Sequence, residues 1–430
     1  MTVRNLDQWL LYLEQLHPSE IDMGLARVQD VAKRLKLPAL ADQVITVTGT
    51  NGKGSSCALL ASLVAQQGLQ VGLYSSPHLL RYNERVRING QEVTDQQLCE
   101  AFTQVEQARG DISLTYFEMG TLAAFWLFAQ AKLDVVILEV GLGGRLDAVN
   151  IIDADIAVVT NIGLDHHDWL GDTRNAVAYE KSGIFRLGRP AVCGDLDPPE
   201  KLLTQAALLT VPLLLRGRDF DLAHTEHDWH WRGLNQRGEP IELQNIPLLD
   251  LPIENAALAL QVYAALGLPW QPEALCSALL AAQMPGRLQA VEVDWQGRRL
   301  QLLLDVAHNP HAAEYLAQRL QSRPVKGRRL AVLGVLNDKD LTGILQPIEA
   351  QIASWAVAAL PSPRSYTQEH LEQALQQRNA QVIVCEDIAQ AIEAQCAAAT
   401  TDDQIVIFGS FFTVAEALKW LKKVTLKNCN

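Results

Sequence analysis

Gly49-Thr50-Asn51-Gly52-Lys53-Gly54-Ser55 packs three glycines, a lysine and two hydroxyl groups into one short stretch. Glycines let successive backbone N–H groups converge, a lysine adds a mobile cation, and a hydroxyl adds a further donor. Together they suit the phosphates of a nucleotide. The spacing departs from the common phosphate loop, G-x-x-x-x-G-K-[ST], because Gly54 separates Lys53 from Ser55. A glycine-rich turn without a ligand is the competing reading. Nucleotide phosphates require a hard divalent cation. Glu139, Ser76 and His166 offer a carboxylate, a hydroxyl and an imidazole for it, with His167 as a rival to His166. Lys181 has the alternative of an ordinary exposed helix residue. Arg81, Arg85 and Arg87 suit either carboxylate binding or simple solvation. Asp305, His308, Asn309 and Ser410 form a second, later group.

A rhythm of strands and helices positions these residues. Val44–Thr48 reads as a buried strand running into the glycine loop, and Ser56–Val64 as the helix after it. Leu133–Val140 is an almost continuous apolar run, as in a parallel strand covered on both faces, with Glu139 near its end. Val71–Ser75 and Ile156–Asn161 read as further strands, and Asp95–Ala108 and Met119–Ala131 as helices. Two earlier amphipathic helices carry Leu6, Trp9, Leu10, Leu13 and Leu16, then Val28, Val31, Ala32 and Leu35. The alternation predicts an α/β fold with a doubly wound, mostly parallel sheet. Ligands of such sheets sit beyond the carboxyl ends of the strands. The glycine loop, Ser76, Glu139 and His166 all fall there. Ser76 to Gly90 is expected to be a long functional loop, and His224–Trp231 a hairpin edge. Met284-Pro285-Gly286-Arg287 reads as a boundary turn, dividing the chain into 1–286 and 287–430. Strands near Leu302–Val306, Leu330–Leu333, Trp355–Ala358, Val382–Val384 and Ile405–Phe408 predict a second, smaller α/β domain.

Composition narrows the function. A formal net charge of -13 argues against wholesale attraction to nucleic acid or an acidic membrane, so an anionic ligand must be held by local donors. The seven cysteines contain no C-x-x-C pair, which suggests neither a disulfide framework nor a zinc site and fits a reducing compartment. The apolar run Ala206–Leu215 contains Pro212 and is too short to span a bilayer. Met1-Thr2-Val3-Arg4-Asn5 does not read as a signal peptide. A soluble, cytoplasmic protein is expected.

Thr48-Gly49-Thr50-Asn51-Gly52-Lys53-Gly54-Ser55 resembles the ATP loop of the Mur ligase superfamily. Ser75-Ser76-Pro77-His78-Leu79, Leu138-Glu139-Val140-Gly141-Leu142-Gly143-Gly144-Arg145-Leu146-Asp147, Asp165-His166 and Asp305-Val306-Ala307-His308-Asn309-Pro310 narrow the resemblance to the folylpolyglutamate synthases, over nearly the whole chain. The resemblance implies an N-terminal P-loop ATPase domain and a C-terminal Rossmann-like glutamate-ligase domain. It implies an ATP-dependent amide ligase that joins L-glutamate to dihydropteroate and to tetrahydrofolates through an acyl phosphate. ATP would lie on Gly49 to Ser55, with Asn255, Arg287 and Asp305 in contact. Two magnesium ions would be held by Ser76, Glu139, His166 and a carbamylated Lys181, a choice that favours His166 over His167. Lys53, Lys181 and His308 would serve catalysis, and His308 and Ser410 the incoming glutamate. In bifunctional members dihydropteroate would lie near Asp22-Met23-Gly24, Thr115-Tyr116-Phe117-Glu118 and Leu146-Asp147-Ala148. A monomer with no nucleic-acid or membrane partner is implied. Ser55 and Ser56 stand where relatives often have Thr, which keeps the hydroxyl. An enzyme that only extends folates, or a P-loop phosphotransferase, would be the alternatives.

Overall fold

Every residue from Val44 to Thr48 is buried, as befits a strand with parallel neighbours on both sides and cover on both faces. It is the inner half of β1 (Ala41–Thr48). With β2 (Val71–Tyr74), β3 (Val86–Ile88), β4 (Gln91–Glu92), β5 (Leu133–Glu139), β6 (Ile156–Val159), β7 (Ala191–Cys193) and β8 (Leu213–Leu215) it forms one sheet, ordered β4-β3-β2-β5-β1-β6-β7-β8. Pairing is parallel from β2 to β8 and antiparallel at the β3–β4 edge. The register sets Val47 against Glu139 and Thr48 against Val159. The connections after β1, β5 and β6 therefore leave the sheet side by side.

The described residues of this computed structural model are 4–19 and 21–428. Met1–Val3, part of the segment read for a leader, and Cys429 lie outside them. The chain divides into two compact units, Met1–Gln283 and Met284–Asn430. In the first, α1 (Leu6–Glu14), α2 (Ala26–Leu35), α3 (Lys53–Ala65), α4 (Asp95–Arg109) and α5 (Tyr116–Gln130) accompany β1 to β5. Trp9, Leu13, Val28, Phe102, Phe125 and Phe128 join them in one apolar core. Three of these helices, α1, α4 and α5, begin with a capping box: Asn5 with Gln8, Thr94 with Gln97, and Thr115 with Glu118. After β6 come α6 (His167–Leu170), α7 (Arg174–Ser182) and α8 (Glu200–Leu208). A small antiparallel sheet of β9 (Asp221–His224), β10 (Asp228–Leu234) and β11 (Pro240–Pro247) precedes α9 (Ile253–Ala265) and α10 (Pro272–Ala281).

Three expectations change. The stretch from His224 to Trp231 is a hairpin from edge strand β9 into β10, but β10 itself is the middle strand of its sheet. Trp229 and Trp231 alternate inward and are fully buried, and their indole N–H groups donate to the carbonyls of Pro247 and Ala257. The segment after Ser76 is not one open loop, since a 3-10 turn (Tyr82–Arg85) and β3 fall within it. Two of its arginines are taken up by the chain's own carboxylates: Arg81 lies 2.9 Å from Asp95, and Arg87 3.5 Å from Glu92. Finally, α5 starts at Tyr116 rather than near Met119, because Thr115 caps it.

The second unit has a sheet ordered β12-β13-β17-β14-β15-β16. Its strands are β12 (Gln289–Trp295), β13 (Arg298–Leu304), β14 (Arg329–Leu333), β15 (Ser354–Val357), β16 (Val382–Val384) and β17 (Gln404–Phe408). The β12–β13 hairpin is antiparallel and the rest parallel. β12 adds a strand the sequence reading did not name, half-buried on one face, with Val293 fully inside and Glu292 and Asp294 exposed. Ala331, Leu333, Trp355, Val357, Val406 and Phe408 make a separate core under α11 (Pro310–Ser322) and its neighbours. Among the described residues no helix is long and apolar enough to cross a membrane, and Ala206–Leu215 divides between α8 and β8.

Candidate active site

The glycine loop joins the end of β1 to α3, and residues after β6 hold its shape. Thr50 N–H donates to the Asn161 carbonyl at 3.0 Å, and Asn51 N–H to Asn161 Oδ1 at 3.0 Å. Thr160 Oγ1 and Asn161 Nδ2 both donate to the Asn51 carbonyl, at 2.6 and 3.0 Å. The Thr50 hydroxyl and the Gly163 backbone exchange two more bonds. Gly49 adopts φ +152°, and a Cβ there would lie 1.7 Å from Thr160 Oγ1. Gly52 adopts φ +81°, and a Cβ there would meet the Asn255 amide at 2.7 Å. Only glycine fits either place. Asn255, in the first turn of α9, donates to Ser55 Oγ at 2.7 Å, and Ser55 Oγ in turn donates to the Gly52 carbonyl. The hydroxyl of Ser56 is buried without a partner. Lys53 Nζ donates to the carbonyls of Gly49 and Thr50 at 2.9 and 3.2 Å, so the cation sits over its own loop. Gly54 lies buried in the first turn of α3.

Beside the loop, β5 ends at Glu139, which is buried, and Ser76 N–H donates to its carboxylate at 3.1 Å. Burying a carboxylate is costly unless charge or donors compensate it. A carboxylate beside a serine is a hard oxygen donor set of the kind magnesium takes. His166 opens α6 at φ +52°, immediately after Asp165, and His167 is exposed within 3.3 Å of Asp172. Among the described residues no group of three or more His, Cys, Asp and Glu could hold a metal. The predicted set has only two such residues, Glu139 and His166, with Ser76 and Lys181 completing it.

Lys181 is buried near the end of α7, contrary to the reading as an exposed lysine. Glu180 beside it anchors Arg145 through backbone and side chain, at 2.8 and 2.9 Å. Burial pushes the Lys181 amine well below the usual lysine range and the nearby Lys53 cation adds to this, against Asp165 and Asp147. Asp147 is buried too, and its carboxyl is pushed up to about 6 by desolvation, against N–H donors from Leu142, Val149 and Gly141 and the charge of Lys53. Lys53, Lys181, Asp147 and Asp165 thus form one electrostatic neighbourhood around the strand ends. Thr48 Oγ1 ties it to the glycine-rich turn after β5 by donating to the Gly143 carbonyl at 2.6 Å.

The three segments predicted to take dihydropteroate meet at that same turn. Met23 Cε lies 3.6 Å from where a Cβ on Gly143 would stand, and the Phe117 ring 2.7 Å from the same point on Gly141, next to Asp147. Gly24 borders open space. Leu146 is half-buried and Ala148 buried. Tyr116 packs edge-on against Tyr82, and the Arg85 guanidinium lies over both rings. Arg85 Nε donates to His78 Nδ1 at 2.8 Å, and burial with that cation lowers His78 to about 4. Thr115 and Glu118 spend their side chains on the α5 cap, and Glu118 also meets Arg27. In the second unit, Asp305 follows β13 and accepts N–H bonds from Leu288 and Ala307. Burial raises its carboxyl, against Arg287. Arg287 lies over the Phe411 ring, against which the His308 ring also packs. Ser410 Oγ accepts the Thr413 N–H at 3.0 Å, so its hydroxyl caps the final helix.

Sequence reasoning missed Thr160, Asn161, Asp165 and Arg27. A polar pair closing an apolar strand was a visible signal for Thr160 and Asn161. Arg27 gave none, because its partner Glu118 is 91 positions away.

Residues 47–198 match the Mur ligase middle domain, and residues 286–411 the Mur ligase, glutamate ligase domain. The dihydrofolate synthase/folylpolyglutamate synthase of Escherichia coli K12 is 46% identical over 414 residues, covering 96% of this chain and 95% of that protein. The solved structure of E. coli FolC in complex with DHPP and ADP superposes with a TM-score of 0.92 at 46% identity, covering 98% of each chain. The bifunctional folylpolyglutamate synthase/dihydrofolate synthase of Yersinia pestis, complexed with AMPPNP and Mn ion, gives a TM-score of 0.90 at 45% identity over 97% of this chain and 98% of that one.

Proposed function

The chain belongs to the dihydrofolate synthase/folylpolyglutamate synthase family of Mur ligases, and from that premise we propose that it joins L-glutamate to dihydropteroate and adds further glutamates to tetrahydrofolates, using ATP. The observation that carries this reading is the convergence of the Lys53 loop, Glu139 with Ser76, and buried Lys181 beside the segments of Met23, Phe117 and Asp147. That proximity supports a phosphate cradle working beside the segments assigned to the pterin ring, as activation of an acid by ATP requires.

In the proposed reaction the substrate carboxylate attacks the γ-phosphate, forming an acyl–oxygen–phosphorus bond and releasing ADP. The glutamate amine then attacks the acyl carbon, phosphate leaves, and the amine proton is lost to solvent. Gly49 to Ser55, with Asn255, orient the phosphates, and Lys53 turns from its loop carbonyls to the transferring phosphoryl group. Ser76, Glu139 and His166 would hold magnesium, with Lys181 as a carbamate at a second ion. Magnesium bound there offsets phosphate charge. Arg287 and Asp305 are assigned to ATP, and His308 and Ser410 to glutamate. The dihydropteroate contacts are assigned to Asp22, Met23 and Gly24, to Thr115 through Glu118, and to Leu146 through Ala148. The ATP and pterin functions are assigned to 1–286 and glutamate ligation to 287–430. A cytoplasmic monomer acting on small molecules alone suits the acidic net charge of -13.

Isotope transfer tests the chemistry. Substrate labelled with oxygen-18 in its carboxylate must pass one labelled oxygen to inorganic phosphate as the amide forms. Phosphate free of label, with turnover intact, would exclude the acyl phosphate.

A further inference from the structure

Arg27, in the first turn of α2, ties together two segments that lie far apart in sequence. Its Nη1 donates to Asp22 Oδ2 at 2.6 Å, and its Nη2 to the Asp22 carbonyl and to Glu118 Oε1, each at 2.9 Å. Glu118 is buried, and its other oxygen accepts the Thr115 N–H at 2.7 Å. His17 Nε2 lies 3.4 Å from the Asp22 oxygen that Arg27 holds. A buried carboxylate needs a cation or a full set of donors, and Arg27 supplies the cation. The guanidinium does more than neutralise it. Its fork reaches the two carboxylates with separate nitrogens held in one plane, where an ammonium would have a single nitrogen for both, while its Nε is buried without a partner. The two segments it joins, Asp22–Gly24 and Thr115–Glu118, reach the same turn through Met23 at Gly143 and Phe117 at Gly141.

We propose that Arg27 is a positioning residue that sets selectivity for dihydropteroate by holding these two arms in one preformed arrangement. This rests on the reading that the arms bind dihydropteroate. A preformed site spares the substrate the cost of ordering it. Dihydropteroate offers only its ring system and a carboxylate, so it depends on the arms more than a folate that also offers a glutamyl tail. Loss of Arg27 therefore weakens dihydropteroate first.

The test is steady-state kinetics of the full chain with Arg27→Met, Arg27→Lys and Arg27→Gln, using dihydropteroate and tetrahydrofolate in parallel. Arg27→Met is expected to raise the KM for dihydropteroate about tenfold or more, leaving the KM for ATP and for glutamate within about twofold and moving the KM for tetrahydrofolate less. Arg27→Lys should recover part of the loss. An unchanged KM for dihydropteroate, or a fall in kcat with every KM shifted alike, would overturn the proposal. Should Arg27→Met fail to fold, Arg27→Gln decides, since it removes the cation and the fork while keeping a polar side chain and both arms' own residues. A selective rise in its KM for dihydropteroate supports the clamp, and no rise overturns it. Unmutated protein that turns over tetrahydrofolate but not dihydropteroate would overturn the substrate reading itself, and the clamp's role with it.

Discussion

Lys181 and Asp147 are both shifted from their ordinary titration ranges by burial at the strand ends. An amine held below its usual range is more often neutral near pH 7, and only a neutral amine adds carbon dioxide to give a carbamate. Protein depleted of bicarbonate should lose activity and regain it when bicarbonate returns, with labelled bicarbonate appearing on Lys181 by NMR. Lys181→Ala should cut turnover by about 100-fold or more if its carbamate supplies the metal-ligand oxygen we propose, and a short carboxylic acid should restore part of it. Full activity in that variant would remove Lys181 from catalysis. Asp147 gives a pH prediction. Its folded-state value of about 6 lies above the ordinary 3.8, so the folded chain holds this proton more tightly than the unfolded one. The stability it contributes is fully present below about pH 4 and lost as pH rises through about 6, a change on the order of 2–3 kcal/mol. Thermal unfolding of the unmutated protein and Asp147→Asn should show the unmutated protein's relative stability falling across that window. A constant difference from pH 4 to 7.5 would show that Asp147 does not titrate there.

At the scale of elements, the glycine loop is held less by α3 than by the two residues that close β6. Gly49→Ala must displace Thr160, whose hydroxyl holds the Asn51 carbonyl. The lost bond and a strained φ together predict ATP binding weaker by about 100-fold, read by calorimetry with a non-hydrolysable analogue. Unaltered affinity would mean that the loop reshapes freely. The same elements show what the sequence revealed. Apolar runs named β1 and β5 because strands covered on both faces leave an uninterrupted signature. The glycine loop, Glu139 and Ser76 were legible because each follows such a run. β12 left a signal that went unread, since Val291, Val293 and Trp295 alternate with exposed Glu292 and Asp294. The 3-10 turn and β3 were hidden in a polar stretch whose order comes from Glu84, which caps the turn, and from pairing with β2. The tie between Asp22 and Glu118 was invisible because no local rule links residues brought together only by the fold.

The whole molecule joins two units, each with its own sheet and core, at a position close to the turn that composition marks at Met284–Arg287. That division suits a reaction with two chemically different halves, activation of an acid and capture by an amine. Its acidic charge leaves the anionic substrates to local donors, the role we propose for the Lys53 loop and for Arg287. One chain is expected to make both amides. Purified protein with ATP, magnesium, glutamate and dihydropteroate should yield dihydrofolate by mass, and the same protein with tetrahydrofolate in place of dihydropteroate should yield products carrying added glutamate. Product from only one acceptor or from neither, or ATP consumed without any amide product, would contradict this.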